Sequence, residues 1–400
     1  MNIKNERKRS GHFLELALPF LPLIEQYKIA SIPVSAIVLF IVIFFRQIKG
    51  KIFISNACRP YSVFLLYIIV RDFLHMMYSD GGALSVQVNR MIEYIVLYCL
   101  IFMACSIFDE DYLFKYWKLA GIIYGLGMIY HVVLIKFYNI PIIPITIIPR
   151  YKLRFDSFIP TMRPTSFFAE PAAYVSAMLP LLFLSLKRKN ISWAILTTFL
   201  IVISTSTVGV LLSAALWIGF IFLEKKSLKV TALTIAIVLV FTFFFLNLDI
   251  FDATFLKFNA VVNGGSTFGS RIKAPLEVLQ LMDFKNLIFG NNVLNVKDFV
   301  LQNAMRLPSD SAAYEAAMAR NDVFLSTVPY LIFRYGIFGL FLFLFTFKGK
   351  IFNQKYGARL YTIMLLIAVF GQGNVAKPNI NLILLIIYSI NEKYENNCNK

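Results

Sequence analysis

The stretch ISWAILTTFLIVISTSTVGVLLSAALWIGFIFL, residues 191–223, decides the fold of this chain. It contains no charged residue, so it is too apolar to lie on the surface of a soluble protein. A single helix over this stretch would be about 50 Å long, whereas the hydrocarbon core of a bilayer is about 30 Å thick. The polar run STST at 204–207 can satisfy backbone groups at a tight turn. It therefore predicts two membrane spans, 191–206 and 207–223.

Apolar segments of similar length recur along the whole chain. The 400 residues are 58% hydrophobic with a mean hydropathy of +0.70, which is more apolar surface than a soluble protein of this size can hide. The sequence predicts an all-α, polytopic integral membrane protein, a single membrane domain over residues 1–400 with about twelve transmembrane helices. The predicted spans are 12–27, 30–46, 61–79, 90–108, 117–138, 167–186, 191–206, 207–223, 229–246, 323–347, 359–373 and 379–391.

The loop charges orient these spans, because Lys and Arg favour the cytoplasmic ends of membrane helices. Basic clusters at 4–9, 46–59, 187–189, 225–229 and 348–359 share one face if both termini are cytoplasmic. Two segments, 139–165 and 247–322, then form external (periplasmic) loops. The second loop, between the ninth and tenth spans, is too long for a simple connector. We expect helices in it near 271–284 and 311–320, the second capped by Ser309 or Asp310.

Both external loops carry basic residues against this charge rule. The most prominent are Arg150, Arg154 and Arg163 in the first loop and Arg271 and Arg320 in the second. Arginine binds phosphate oxygens through paired donors, so an anionic partner with a phosphate or pyrophosphate group is indicated. Lys285, Lys297 and Arg306 are interpreted as solvated loop charges. The net charge of +17 otherwise reflects helix orientation and does not indicate a nucleic-acid partner.

The stretch RPTSFFAEPAAY, residues 163–174, places an arginine and a glutamate where the first external loop enters the sixth span. Charges beside a span are costly and usually mark a functional site. Arg163 and Glu170 are equally explained as a structural pair that anchors a helix end. As a catalytic group, Glu170 would act as a general base on a hydroxyl. Phe167 and Phe168 are interpreted as interface aromatics, or less favourably as rings that stack on sugars.

No pattern in the sequence is typical of a metal or nucleotide site. His12, His75 and His131 stand singly and are expected to be satisfied core or interfacial residues. The four cysteines fit neither a zinc site nor a disulfide framework. The acidic run at 109–111 is interpreted as a solvated turn, and glycine-rich nucleotide motifs are absent. We therefore expect neither a metal nor a cofactor.

Several short motifs follow one another in a recognisable order. They are RPTSFFAEPAAY (163–174), GSTFGSR (265–271), NLIFGN (286–291), RNDVFL (320–325) and YGIFG (335–339). Together with the two basic external loops, this order resembles the O-antigen polymerases (Wzy type), within the wider superfamily of O-antigen ligases and capsule polymerases. Members act on undecaprenyl-pyrophosphate-linked glycans at the outer face of the inner membrane. The resemblance implies an enzyme that transfers a growing glycan from its lipid carrier to another lipid-linked repeat unit.

The resemblance also implies residues, partners and a location. Glu170, Arg163 and Arg271 would be catalytic. The pyrophosphate and glycan would be bound by Arg150, Arg154, Arg163, Arg271, Arg320 and Asn321. The expected partners are the undecaprenyl-pyrophosphate-linked oligosaccharide, membrane lipid and a chain-length regulator protein. The location would be the bacterial inner membrane, multi-pass, with both termini cytoplasmic and the active site facing the periplasm.

Two alternatives stay open. An O-antigen ligase is expected to carry a histidine in the large external loop just before the Asn that enters the next span. This chain has Arg320 at that place and no histidine within 247–322. The R-x10-G pattern of polymerase loops is also absent after Arg163 and Arg271, which leaves the arginine mechanism open. A flippase or exporter would need charges inside many spans, and here Arg71 and Asp72 are the main exception.

Overall fold

The computed structural model describes residues 12–25, 27–29, 32–47, 59–78, 108–147, 160–223, 273–291, 295–319 and 323–352, and the isolated residues 362–363, 365–367, 369, 383–384 and 386. In this part of the chain the fold is all-α, apart from one antiparallel pair of two-residue strands. The all-α prediction is therefore confirmed for the residues that the structure describes.

The elements of the described residues, in chain order, are as follows. The first half of the chain forms α1 (Phe13–Ile24), β1 (Lys28–Ile29), β2 (Ile32–Pro33), α2 (Val34–Gln47), α3 (Arg59–Tyr78), α4 (Glu110–Tyr138), α5 (Pro171–Lys187), α6 (Ile191–Ile203) and α7 (Thr207–Leu223). The second half forms α8 (Ala274–Gln280), α9 (Phe284–Phe289), α10 (Val296–Gln302), a 3-10 turn (Ala304–Arg306), α11 (Ala312–Ala319), α12 (Thr327–Phe345) and α13 (Lys348–Phe352).

Two helices of the described residues, α4 and α12, are long and apolar enough to cross a bilayer. Their outer faces expose large apolar side chains such as Leu126, Phe137 and Phe341, which a membrane would cover. These features indicate a membrane protein. The predicted number of twelve spans is not shown, because spans 229–246, 359–373 and 379–391 and nearly all of 90–108 lie outside the continuous described ranges.

The apolar stretch 191–223 is divided as predicted. Helix α6 ends at Ile203 and α7 begins at Thr207. The hydroxyls of the turn satisfy backbone groups, since Ser204 Oγ donates to the Ile201 carbonyl (2.6 Å) and Ser206 Oγ accepts from the Gly209 N–H (3.3 Å). Thr205 between them has a left-handed backbone (φ 56°). The short polar residues therefore reverse the chain without leaving these backbone groups unpaired.

Helix α5 lies at the centre of the bundle. Every residue from Tyr174 to Leu186 is buried, as expected of a helix that is apolar on all sides. It packs against α4, α6 and α7, and Trp117 Nε1 of α4 donates to the Ala177 carbonyl (3.1 Å). The stretch 163–170 leads directly into this helix, so its position is set by the most buried element of the fold.

The acidic run at 109–111 does not form a solvated turn. Asp109 caps α4 by accepting from the Asp111 N–H (2.8 Å), so the helix begins at Glu110 rather than near residue 117. Glu110 is buried and lies 2.8 Å from Lys187 Nζ, and Arg188 contacts Asp111. The prediction was wrong for Glu110, because the basic end of α5 supplies the partner that allows its carboxylate to be buried, whereas the Asp111 side chain is 73% exposed.

The described part of segment 247–322, which the sequence predicts to be the larger external loop, contains helices and a hydrophobic core of its own. Residues of α8, α10 and α11, including Val278, Val300 and Ala317, pack together and against Phe333 of α12. Expected helices near 271–284 and 311–320 are observed as α8 and α11, which confirms the partly helical character of this loop. The cap of α11 is Ser311, whose Oγ accepts from the Tyr314 N–H (3.1 Å), not Ser309 or Asp310.

Asp310 does not cap α11 because its carboxylate forms an ion pair with a lysine. Its carboxylate lies 2.7 Å from Lys273 Nζ, just before α8. Glu277 of α8 takes part in the cap instead, since its Oε2 accepts from Ser311 Oγ (2.8 Å) and from the Ala313 N–H (2.9 Å). A carboxylate at a helix N-terminus also interacts favourably with the helix dipole. The start of α11 is therefore set by a side chain from another helix.

Candidate functional site

The loop before α5 is held against α4 by its backbone. Ile142 and Thr161 form a β-bridge, and the Ile145 N–H donates to the Ser166 carbonyl (3.0 Å). Ser166 has a left-handed backbone (φ 56°), and its Oγ donates to the Tyr124 carbonyl of α4 (2.9 Å). A Cβ on Gly127 would lie within 3 Å of Ser166 Oγ and of the Phe167 ring. Glycine is needed in α4 for this close approach.

His131 is the acceptor that fixes the centre of the loop. Its Nδ1 accepts from the Ser166 N–H (3.0 Å) and from the Thr165 N–H (3.3 Å). The side chain is 2% exposed. A buried histidine that accepts at Nδ1 is not a proton donor at that atom. The expectation that His131 is a satisfied core residue is confirmed.

Phe168 belongs to the core and not to a sugar-binding surface. It is 3% exposed and makes edge contacts with the rings of Tyr124 (5.2 Å between centroids) and Tyr174 (5.8 Å). Phe167 is partly buried against the same core. The less favoured interpretation, in which these rings stack on a glycan, is therefore wrong for Phe168, since no ligand can reach its face.

Arg163 lies at the end of the bundle where α5 begins and where α6 and α7 meet. Its Nη2 donates to the Thr205 carbonyl (3.1 Å), in the turn between α6 and α7. The side chain is partly exposed. A guanidinium has five N–H donors in a planar fork, and this contact uses one of them. The carbonyl thus orients Arg163 at the rim of the bundle.

Glu170 occupies the N-cap position of α5, and its side chain makes no cap hydrogen bond. The residue is exposed, and within the described residues it forms no ion pair. The interpretation of Arg163 and Glu170 as a structural pair is therefore not supported by a contact between them. The structure instead gives the two side chains separate positions at one end of the bundle, the arginine tethered and the carboxylate exposed.

The remaining predicted site residues, Arg150, Arg154, Arg271, Arg320 and Asn321, lie outside the described residues. Convergence of Arg163 and Arg271 on one ligand stays a prediction. Of the basic residues that we interpreted as solvated, Lys285 is exposed, and Arg306 donates to the Leu281 carbonyl (3.3 Å). In the described part of the chain, no group of three or more His, Cys, Asp or Glu side chains is placed to hold a metal ion.

The end of the bundle opposite Arg163 carries a different set of charges. Lys187 and Arg188 at the end of α5 pair with Glu110 and Asp111 at the start of α4. Lys118 Nζ lies 5.0 Å from the centre of the Phe114 ring and 5.7 Å from that of Trp193. The assignment of this end to the cytoplasmic face stays a prediction of the positive-inside rule.

Comparisons with protein-family models, with curated proteins and with solved structures give no match.

A second polar cluster lies between α3 and α12. The sequence singled out its α3 members, Arg71 and Asp72, but assigned them no role. Arg334 of α12 lies 3.2 Å from Asp72 of α3, and both side chains are almost fully buried. Tyr335 OH lies 3.4 Å from the other oxygen of Asp72, and the neighbouring Arg71 donates to the carbonyls of Phe289 and Gly290. The signal was visible in the sequence as two adjacent charges inside an apolar helix. Their partners were not, because they are more than 200 residues away along the chain.

Proposed function

We propose that this protein is a membrane glycosyltransferase of the O-antigen polymerase type. It transfers a glycan chain from undecaprenyl pyrophosphate to another lipid-linked repeat unit, at the outer face of a bacterial inner membrane. The proposal includes the twelve-span topology with both termini in the cytoplasm and the two basic external loops, 139–165 and 247–322. It is supported by the order of motifs from residue 163 to residue 339 and by the all-α, apolar character of the fold.

The observation that carries the proposal is the position of Arg163. It is a partly exposed arginine tethered to the Thr205 carbonyl at one end of the bundle, while Lys187 and Arg188 lie at the other end with acidic partners. A basic residue at the end opposite the cytoplasmic cluster runs against the charge rule for membrane helices. A pyrophosphate headgroup at that face would provide the anion that such an arginine binds.

The reaction needs charge stabilisation more than a cofactor. The bond between the anomeric carbon of the donor glycan and the pyrophosphate oxygen breaks, and a new C–O bond forms to the acceptor hydroxyl. Undecaprenyl pyrophosphate leaves with the bonding electrons, and arginine donors stabilise the charge that develops on it. The acceptor proton passes to a base, for which the exposed carboxylate of Glu170 is the candidate at this end of the bundle. Positioning of the two lipid-linked substrates supplies the remainder of the acceleration.

The test uses the purified protein in lipid nanodiscs with undecaprenyl-pyrophosphate-linked repeat units. We expect the native chain to form a ladder of longer glycans on a gel. Replacing Arg163 with Ala should lower the rate by about 100-fold or more, the usual effect of removing a donor to a developing negative charge. Arg163→Lys should restore part of the rate, because lysine keeps the charge but loses the planar fork.

Two controls separate binding from folding. Lys285→Ala removes an exposed positive charge from the larger loop and should leave the rate unchanged. The Thr205 hydrogen bond that Arg163→Ala removes has a charged donor and is worth about 1.5–3 kcal/mol, less than the usual stability of a folded protein, so this variant should still purify in the folded state. A ladder of native length from folded Arg163→Ala would contradict the proposed function.

A further inference from the structure

Helix α9 and the glycine that follows it lie against two helices that are distant in sequence. Arg71 of α3 donates from Nε to the Phe289 carbonyl (2.8 Å) and from Nη2 to the Gly290 carbonyl (2.9 Å). The Asn291 N–H donates to the Phe333 carbonyl of α12 (2.7 Å). The described part of the larger external loop is therefore fastened to the flanks of α3 and α12, and not only to their ends.

The contacts place this segment well below the ends of both helices. Helix α12 has 19 residues, with a break in its helical backbone at Gly336, and α3 has 20 residues. Segments of this length reach about 30 Å, which matches the thickness of a bilayer core. Arg334 lies about two turns past the start of α12, which is about 10 Å along the helix. Arg71 lies about two turns before the end of α3, which is again about 10 Å. The two positions lie side by side, since Asp72 pairs with Arg334, and the depth counted along either helix is the same.

From this depth the chain runs antiparallel to α12. Ile288 approaches Gly336, Gly290 approaches Arg334, and Asn291 bonds to Phe333, so the contacts move back toward the start of α12 as the loop proceeds. Gly290 and Gly336 both have positive φ, and a Cβ on either would collide with the backbone of the other segment. Only glycine allows this approach of two backbones. Of these residues, Ile288 contacts α12 farthest from its start.

The surrounding side chains satisfy the backbone that is brought to this depth. Irregular backbone within a bilayer is tolerated only where protein groups or water replace the missing hydrogen bonds. The carbonyls of Phe289 and Gly290 accept hydrogen bonds from Arg71. Tyr67 OH donates to the Tyr335 carbonyl (2.8 Å). Asp72 and Arg334 form a buried pair beside them. This arrangement explains why an apolar helix carries Arg71 and Asp72.

From this geometry we infer that residues 284–291 form a re-entrant segment of the larger external loop, in which the Phe289 ring contacts the acyl chains of membrane lipid. Phe289 is 52% exposed although it sits at the depth of a membrane span. It is continuous with the exposed face of α12 at Ile337 and Phe338, which a bilayer would cover. The inference does not depend on the proposed enzymatic activity.

The test measures which medium surrounds Phe289. A cysteine-free variant carries a single Phe289→Cys substitution with a nitroxide label, in lipid nanodiscs. Collisions with oxygen, which concentrates in lipid, are compared with collisions with a water-soluble nickel chelate. The reference for lipid is a label at Phe341→Cys, on the exposed face of α12. The reference for water is a label at Glu315→Cys, on the exposed side of α11.

We expect oxygen collisions to dominate at Phe289 and Phe341 and nickel collisions to dominate at Glu315. A label at Phe284→Cys, at the start of α9, should report a shallower position than Phe289, because the neighbouring Asp283 and Lys285 carry exposed charges that favour water. Nickel collisions at Phe289 equal to those at Glu315 would overturn the inference, since the ring would then face water. Because these positions are exposed, the labels need not disturb the folded protein, and each variant is measured only after it purifies as a single species.

Discussion

At the scale of single residues, Gly336 is a position where the fold tolerates little change. Its φ is 73°, and a Cβ there would collide with the carbonyl of Ile288. We expect Gly336→Ala to lower the free energy of unfolding by about 2–4 kcal/mol, from overpacking and from the left-handed backbone together. The measurement is the unfolding midpoint in bicelles or nanodiscs.

Gly349 provides the matched control for this substitution. It lies in α13 with no atom near an added Cβ, so Gly349→Ala should leave stability unchanged or raise it by up to about 1 kcal/mol. Equal stability of the Gly336→Ala and native proteins would mean that α9 does not dock on α12 as described.

Single residues also show where sequence reasoning succeeds and where it ends. The expectation for His131 was correct because a lone histidine in an apolar helix has few alternatives to a local hydrogen bond. The expectation for Glu110 was wrong because its partner Lys187 belongs to another helix. Pairing across the bundle depends on which helices are neighbours, and hydropathy alone does not determine this.

At the scale of elements, the pair Lys273–Asp310 ties the start of α8 to the start of α11. The hydrogen bond from Lys273 holds the pKa of Asp310 below its ordinary value, and the same bond raises the pKa of Lys273. A lowered carboxyl pKa contributes stability above the ordinary pKa of about 3.9, and this contribution is lost as the pH falls through the folded pKa. The raised lysine pKa contributes below about 10.4 and is lost as the pH rises through the folded value.

We therefore expect Asp310→Asn to weaken the tie between α8 and α11 at neutral pH and to have no effect in strong acid. Amide hydrogen exchange in α11 should be faster in the variant near pH 7. The two proteins should converge once the pH lies below the lowered pKa of Asp310, after correction for the intrinsic exchange rate. Both side chains are exposed, so the effect at neutral pH should be small. Unchanged exchange at neutral pH would show that the pair does not hold α11.

Element boundaries illustrate the same limit. The break at 204–206 and the helices of the larger loop were predictable, because short polar residues and alanine-rich runs have strong local preferences. The cap of α11 was not, because Glu277 comes from α8 and competes with the local candidates Ser309 and Asp310. Local signals determine which elements exist, and tertiary contacts determine where they begin.

At the scale of the whole molecule, the pair Asp72–Arg334 joins α3 to α12 across 262 positions of the chain. Removing one partner of a buried ion pair leaves an uncompensated charge, so Asp72→Asn or Arg334→Met alone should cost about 3–5 kcal/mol. The double variant should cost less than the sum of the two single changes. A double-mutant cycle of unfolding free energies in bicelles measures the coupling, and additive effects would contradict a direct pair.

The architecture was predictable only in part. An all-α membrane protein followed from the apolar stretches and the spacing of charges, and the described helices agree with it. The close association of α3, α9 and α12 did not follow, since it depends on contacts between the larger loop and two helices distant in sequence. The candidate site was predictable only in part. The sequence singled out Arg163 and Glu170, but it did not show that Arg163 bonds to the Thr205 carbonyl and that Glu170 stands apart from it.

The surface-glycan banding pattern of a strain that lacks the gene is the most direct test of the proposed polymerase activity. We predict that this strain carries core with a single repeat unit, and that the native gene restores long chains while the Arg163→Ala variant does not. Naked core in the deletion strain would contradict the account, because it indicates a lost ligase or flippase. Long chains of native pattern in the deletion strain would contradict it as well.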